Sequence, residues 1–341
     1  MSESTAPEPA KRAGPIRRIL SILLMGLAAV FLVRTAQDVG WRVLAERLAN
    51  ADPTLLAVVV LVNLGRYVIW AKRWQILTRP IARVPWWPAQ KALMASLFFT
   101  TVVPGSRPFG GLVRARYLGK EVGQPTGPLY GAAVVDQFGY SVVSMSLGAV
   151  YLPFVFWGGR FVDSSPVLPL LGLVALTVAA IVVWRQRFAL RERVRRRLPR
   201  VALALEGTVD SASRLLVSPS SWAVLLVGGA AVWWTNVLGY QLAAATLGFR
   251  MDFAAAAAAF SLGSLAGTVT GTPGGAGATE AGAVLPLTQM GIPADVALAS
   301  VLLARGVHYA CSLGIGGLHA LMGPRETPEP ASSPEAPPDR G

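Results

Sequence analysis

The sequence predicts an all-α polytopic membrane protein, with about six full transmembrane helices and two re-entrant broken helices in an inverted repeat. Three observations carry this. Of 341 residues, 53% are hydrophobic and only 14% charged, at a mean hydropathy of +0.50, where soluble domains carry about 25% charged residues. Several apolar runs reach the roughly 20 residues of helix that cross a bilayer. Two further apolar runs are interrupted by glycine and proline, at 104–111 and 271–280. Glycine costs a helix about 1 kcal/mol and proline about 3 relative to alanine, so neither run stays a single helix. In hydrocarbon such broken backbone is tolerated only when buried in protein or lining a wet cavity.

The formal net charge of +13 comes from 27 arginines and four lysines against 18 acidic residues. The bases flank the apolar runs, where they set orientation and meet anionic headgroups, so nucleic acid is not the expected partner. Cys311 is the only cysteine and excludes an internal disulfide; His308 and His319 are too few for a histidine-rich metal site. No metal or cofactor is expected.

Residues 1–15 are polar and proline-containing, which predicts a disordered cytoplasmic N-terminus. Lys11, Arg12, Arg17 and Arg18 precede an apolar run from Ile19 to Val33 without a small-residue cleavage site, read as a retained first span. Trp41 to Asn50 mixes apolar and charged residues at helical spacing, as an interfacial helix does. The second span runs from about Pro53 to Ile76 and contains Arg66, read as close enough to the cytoplasmic interface to snorkel. Ala92 to Val103 is apolar but too short to cross; it ends at Pro104–Gly111 and is followed by Arg114, Arg116 and Lys120, hence a re-entrant element entered from the cytoplasm. Thr126 to Trp157 crosses with Asp136 inside it, and Val167 to Trp184 crosses back to a loop with eight arginines between Arg185 and Arg200. Val201 to Leu216 is amphipathic, suited to the membrane surface. Trp222 to Leu247 crosses outward, Phe253 to Met290 holds the second broken element, and Ala294 to Met322 returns. The transmembrane domain thus covers 16–323, and 324–341 is a disordered cytoplasmic tail rich in Pro, Glu and Ser. Both termini are placed in the cytoplasm of a multi-pass cell-membrane protein.

The halves 53–157 and 222–322 resemble each other. Asn63 and Asn236 are each followed by a tyrosine four residues on, Tyr67 and Tyr240. Pro104-Gly105 matches Pro273-Gly274, and 32 residues beyond each proline stands a charge, Asp136 or Arg305, with Tyr140 or Tyr309 four residues later. Gly123-Gln124-Pro125 and Gly291-Ile292-Pro293 fall at nearly equal offsets. The distribution of basic residues orients the halves oppositely, and paired Gly/Pro-interrupted segments in an inverted repeat are the pattern of transporters that bind near the midplane.

Candidate substrate-binding residues follow. Pro273, Gly274, Gly275 and Gly277 form the break, and Glu280 lies about two turns into the half-helix beyond it. Close helix packing explains the glycines equally well, though not Pro273 or Glu280. The spacing does not make a dinucleotide fingerprint, because Glu280 stands where its third glycine belongs and no strand precedes. Charges at membrane depth are functional by default, so Asp136 and Arg305 join the set; they are also readable as a pair neutralising each other. Arg305 is the expected counter-charge of Glu280. Arg107, Arg114 and Arg116 are readable as positive-inside anchors or as phosphate contacts. His308 is read as a packed helix residue.

On these residues the chain resembles the lysylphosphatidylglycerol synthase transmembrane-region family, over roughly Ile16 to Leu321. The marks are Thr272–Glu280, Arg305, and Pro104–Leu118 with Arg114 and Arg116; where family members usually show Glu-Arg, this chain has Asp136-Gln137. The resemblance implies a flippase-like, non-enzymatic protein that moves lipid. Two-domain members also attach a soluble aminoacyl transferase, which this sequence does not include. The expected partners are membrane lipids, anionic or phosphate-bearing. The alternative is a non-transporting anchor for a separate glycosyl- or aminoacyl-transferase, docked on the Arg185–Arg200 loop.

Overall fold

Each half of the chain runs through the same succession: a short amphipathic helix, a long helix, a hairpin of two shorter helices, and another long helix. The computed structural model describes residue 37 and residues 40–103, 107–156, 206–270 and 272–324. The first half comprises α1 (Trp41–Ala49), α2 (Pro53–Thr78), α3 (Trp86–Val102), α4 (Arg107–Val122) and α5 (Thr126–Phe156). The second comprises α6 (Glu206–Val217), α7 (Pro219–Thr246), α8 (Phe253–Thr270), a 3-10 turn at Pro273–Gly275, α9 (Ala278–Gln289) and α10 (Ala294–Met322). No strand occurs among the described residues.

Five helices, α2, α5, α7, α8 and α10, are long and apolar enough to cross a membrane. Four of these are full spans expected from the sequence. The predicted spans Ile19–Val33 and Val167–Trp184 lie outside the described residues, as do Pro104-Gly105-Ser106, the Arg185–Arg200 loop and the tail from 325. The fifth, α8, is a difference from the expectation. As the first arm of the second broken element it has the length of a span, because its apolar run continues for 18 residues before Gly271.

Local signals set the ends. Asp52 caps α2, its carboxylate accepting from the backbone N–H groups of Thr54 and Leu55 at 2.7 and 3.1 Å, with Pro53 at the first helical position. α4 and α9 end alike. Gly123 and Gly291 adopt φ of 64° and 81°, and the next amide reaches back five residues: Gln124 N–H donates to Gly119 O at 2.9 Å, Ile292 N–H to Leu287 O at 3.0 Å. Proline then blocks continuation in both places.

The packing follows the same exchange of halves. α2 lies against α7, α3 pairs with α4 and α8 with α9, α10 runs along α3, and α5 runs along α8. α1 rests on α10, held by an Arg47–Asp295 ion pair at 2.6 Å. α6 rests on α5, where Thr208 and Ser211 hydroxyls donate to the carbonyls of Gly127 and Pro128 at 3.0 and 2.9 Å. In lipid, helices associate through close contact and hydrogen bonds rather than a hydrophobic force. The buried run Ala254–Ala259 lets α8 approach its neighbours closely. Gly110 and Gly111, expected to belong to the first break, lie inside α4. A Cβ there would meet Thr100 at 2.5 Å and Ala133 at 3.3 Å, so their smallness serves packing.

Candidate substrate cavity

The break between α8 and α9 is held by one arginine. Gly274 takes φ of 55°, and a Cβ on it would lie 2.8 Å from the Tyr309 ring, so only glycine fits. Its carbonyl, freed from the helix ladder, accepts from Arg305 Nη2 at 2.7 Å. Arg305 Nε donates to Glu280 Oε1 at 3.1 Å, and the guanidinium lies over the Tyr309 ring at 4.7 Å. The expected Glu280–Arg305 partnership is present. The expected depth of Glu280 is not: Gly277, at φ of 80°, caps α9, and Glu280 stands in its first turn, where the helix dipole favours a carboxylate.

The first half carries a second ion pair of reversed sign. Asp136 on α5 is fully buried; it accepts from Arg73 Nε at 2.8 Å, Arg114 Nη2 at 3.0 Å and Trp70 Nε1 at 3.1 Å. Arg114 also lies over Trp74 at 4.3 Å. The reading of Asp136 and Arg305 as one mutually neutralising pair is therefore corrected: each has its own partner within its own half.

Between these pairs lies a cavity of about 570 Å³, walled by α2, α3, α4, α5, α7, α8, α10, the Pro273–Gly275 turn and the first turn of α9. Three guanidiniums face it: Arg66, Arg114 and Arg305. Arg66 does not snorkel to an interface. It stands near the midpoint of α2, with Nη2 2.5 Å from Asn63 Oδ1 and 2.9 Å from His308 Nδ1, and Nη1 bonded to Asn236. The two repeat asparagines thus hold the same arginine. His308, expected as packing, lines the cavity instead, 2.6 Å from the Tyr67 hydroxyl.

Of the ten candidates, Gly274, Arg114 and Arg305 line the cavity. Glu280 and Asp136 stand behind the arginines and orient them. Pro273, Gly275 and Gly277 shape the turn without lining it. Arg116 is exposed on another side of α4, and the side chain of Arg107 lies outside those described. Arg66, Asn63, Asn236 and Arg73 were not among the candidates. The matching Asn–Tyr spacing was the signal that pointed to the asparagines. Around the cavity four arginines meet two carboxylates, and among the described residues no carboxylate pairs with Arg66. The site has a surplus of positive charge.

The sequence model described as Lysylphosphatidylglycerol synthase TM region matches residues 18–316. The chain belongs to that family. Its match spans both halves and every residue of the cavity, including the Gly274–Arg305 contact and the Arg114–Asp136 pair. The lysylphosphatidylglycerol synthase transmembrane region is a membrane domain, generally without catalytic activity of its own. No curated protein matches the chain.

Proposed function

We propose that this protein translocates an anionic, phosphate-bearing lipid or lipid-linked phosphate across the cell membrane. The observation that carries the reading is the convergence of Arg66, Arg114 and Arg305, from three separate helices, on one cavity with surplus positive charge. A charge at bilayer depth costs about 3 kcal/mol even on lenient scales. The surplus of four arginines over two carboxylates calls for a ligand that offsets it. Guanidinium presents a planar fork of donors that matches phosphate oxygens. Asn63 and Asn236 fix the fork of Arg66, and Glu280 and Gly274 fix that of Arg305, so both are ordered before a ligand arrives. The matched succession of helices favours an inverted repeat, with both termini cytoplasmic and the two hairpins entering from opposite sides. Sequence spacing and reciprocal packing support that arrangement.

The test is reconstitution into liposomes containing fluorescent phosphatidylglycerol, with translocation read by quencher accessibility and binding by native mass spectrometry. Wild-type protein should move and bind the lipid, and Arg66→Gln should do both markedly less. A wild type that neither moves nor binds an anionic lipid overturns the reading.

A further inference from the structure

Two helix pairs hold equivalent places in the two halves, and they close the cavity unequally. α3 and α10 meet at three levels. The Trp87 ring packs on His319 at 5.9 Å, a Cβ on Gly316 would lie 2.6 Å from the Met94 carbonyl oxygen, and Thr101 Oγ1 donates to Ser312 Oγ at 3.3 Å. Leu97 and Ser312 on that seam are 8% and 0% exposed. α5 and α8 meet toward one end, where Tyr151 packs on Phe253 at 5.7 Å and a Cβ on Gly148 would lie 2.5 Å from the Ser261 Cβ. From that crossing, Gln137, Ser141 and Met145 run along one face of α5, and Leu265 and Thr268 along one face of α8. All five line the cavity. Yet Met145 is 60% exposed and Leu265 43%, and Gln137 and Thr268 are exposed as well. Among the described residues the cavity is shut between α3 and α10 and open between α5 and α8.

We infer that the α5–α8 gap is the path of the ligand's hydrocarbon. The phosphate-bearing headgroup sits against Arg66 and Arg305, while the hydrocarbon passes between Met145 and Leu265 into the bilayer. This rests on the proposed lipid-binding role of the cavity and narrows it: the ligand is an amphiphile whose hydrocarbon stays in the bilayer, not a free phosphate or small solute. The size fits, since cavities of about 300–1,000 Å³ hold one drug-sized group, and 570 Å³ leaves no room for two long chains beside a headgroup. The surfaces fit too. Thr268 and Gln137 flank the gap where the headgroup would pass, and the apolar Met145 and Leu265 flank it where chains would lie. Tails that stay in hydrocarbon need no desolvation, so only the headgroup has to be carried through protein.

Photocrosslinking tests this on the full chain in nanodiscs of phosphatidylcholine. One phosphatidylglycerol probe carries a diazirine in an acyl chain, the other an aryl azide on its glycerol headgroup, and adducts are mapped by mass spectrometry. The acyl probe should label Met145 and Leu265 several-fold above the outward-facing Leu61 and Val227, and the excess should vanish in Arg66→Gln. If the headgroup probe labels the cavity while the acyl probe labels Met145 and Leu265 no more than Leu61 and Val227, the tail path is wrong and the binding site stands. If neither probe labels the cavity above background, the lipid reading of the site falls and the tail path with it.

Discussion

Arg305 Nε donates to Glu280 Oε1 at 3.1 Å, joining the last long helix to the second arm of the hairpin before it. Arg114 and Asp136, 3.0 Å apart, join the corresponding helices of the first half with the charges exchanged. In both halves the guanidinium faces the cavity and the carboxylate stands behind it. The two halves share one arrangement, with the donor turned toward the cavity and the acceptor toward the fold.

Glu280 orients Arg305, so Glu280→Gln should preserve insertion and folding while strongly reducing lipid translocation, because the amide keeps the volume and loses the charge. Arg305→Ala should destabilise more than the Glu280→Gln, Arg305→Ala double change, since it strands a buried carboxylate; breaking a buried pair from one side costs about 3–5 kcal/mol. Thermal melting and translocation of the three variants in one detergent check both statements. Unchanged translocation in Glu280→Gln would reduce the residue to a helix-capping role.

Among the described residues, Asp136 is the sole carboxylate paired with Arg73 and Arg114. Asp136→Asn should therefore lower the melting temperature more than Arg114→Ala, because it leaves two buried guanidiniums without a counter-charge rather than removing one of two. Equal melting temperatures for the two variants would show that the cluster does not depend on the carboxylate's charge.

The α3–α10 seam offers a lock. Thr101→Cys with Ser312→Cys, on a Cys311→Ala background, replaces a 3.3 Å hydroxyl contact with two thiols placed for a disulfide. Oxidation should stop translocation while lipid binding persists, and reduction should restore it. Translocation that continues in the oxidised protein would mean the seam does not open during transport.

α6 depends on a glycine. A Cβ on Gly131 would lie 2.0 Å from Ser211 Oγ and 2.4 Å from the Thr208 carbonyl oxygen, so Gly131→Ala should force α6 off α5. The expected loss is about 1–3 kcal/mol, typical of overpacking, read as a lower melting temperature and faster proteolysis across 206–217.

Topology is open to cysteine labelling. A cysteine replacing Lys120 or Arg196 should react from the cytoplasmic side alone, and one replacing Gly159 from outside. Labelling at Lys120 from outside would place the end of α4 across the membrane and remove the inverted repeat.

Much of the architecture was legible in the sequence because it rests on local rules. Apolar length set the helices α2, α5, α7 and α10, and proline with glycine set the interruption between α8 and α9. The matched Gly-x-Pro triplets became matched helix ends at Gly123 and Gly291, since a left-handed cap followed by proline needs only its own residues. Even the Glu280–Arg305 pair was readable, because the two charges fall on adjoining apolar segments with few other partners at that depth.

What the sequence could not decide was which face of each helix turns inward, and how far along each helix its neighbour crosses. Arg114 and Arg116 are about 200° apart around α4, and packing against α5 buries the first and leaves the second exposed. Arg73, 63 residues before Asp136, became its partner only because α2 and α5 cross there. Arg66 was indistinguishable in sequence from an interfacial anchor. Its capture by Asn63 and Asn236 required α2 and α7 to lie side by side. Charge and chain-breaking residues are properties of the sequence alone, whereas the partner of a buried charge belongs to the packed helices, where each guanidinium takes whichever acceptor the crossing brings within reach.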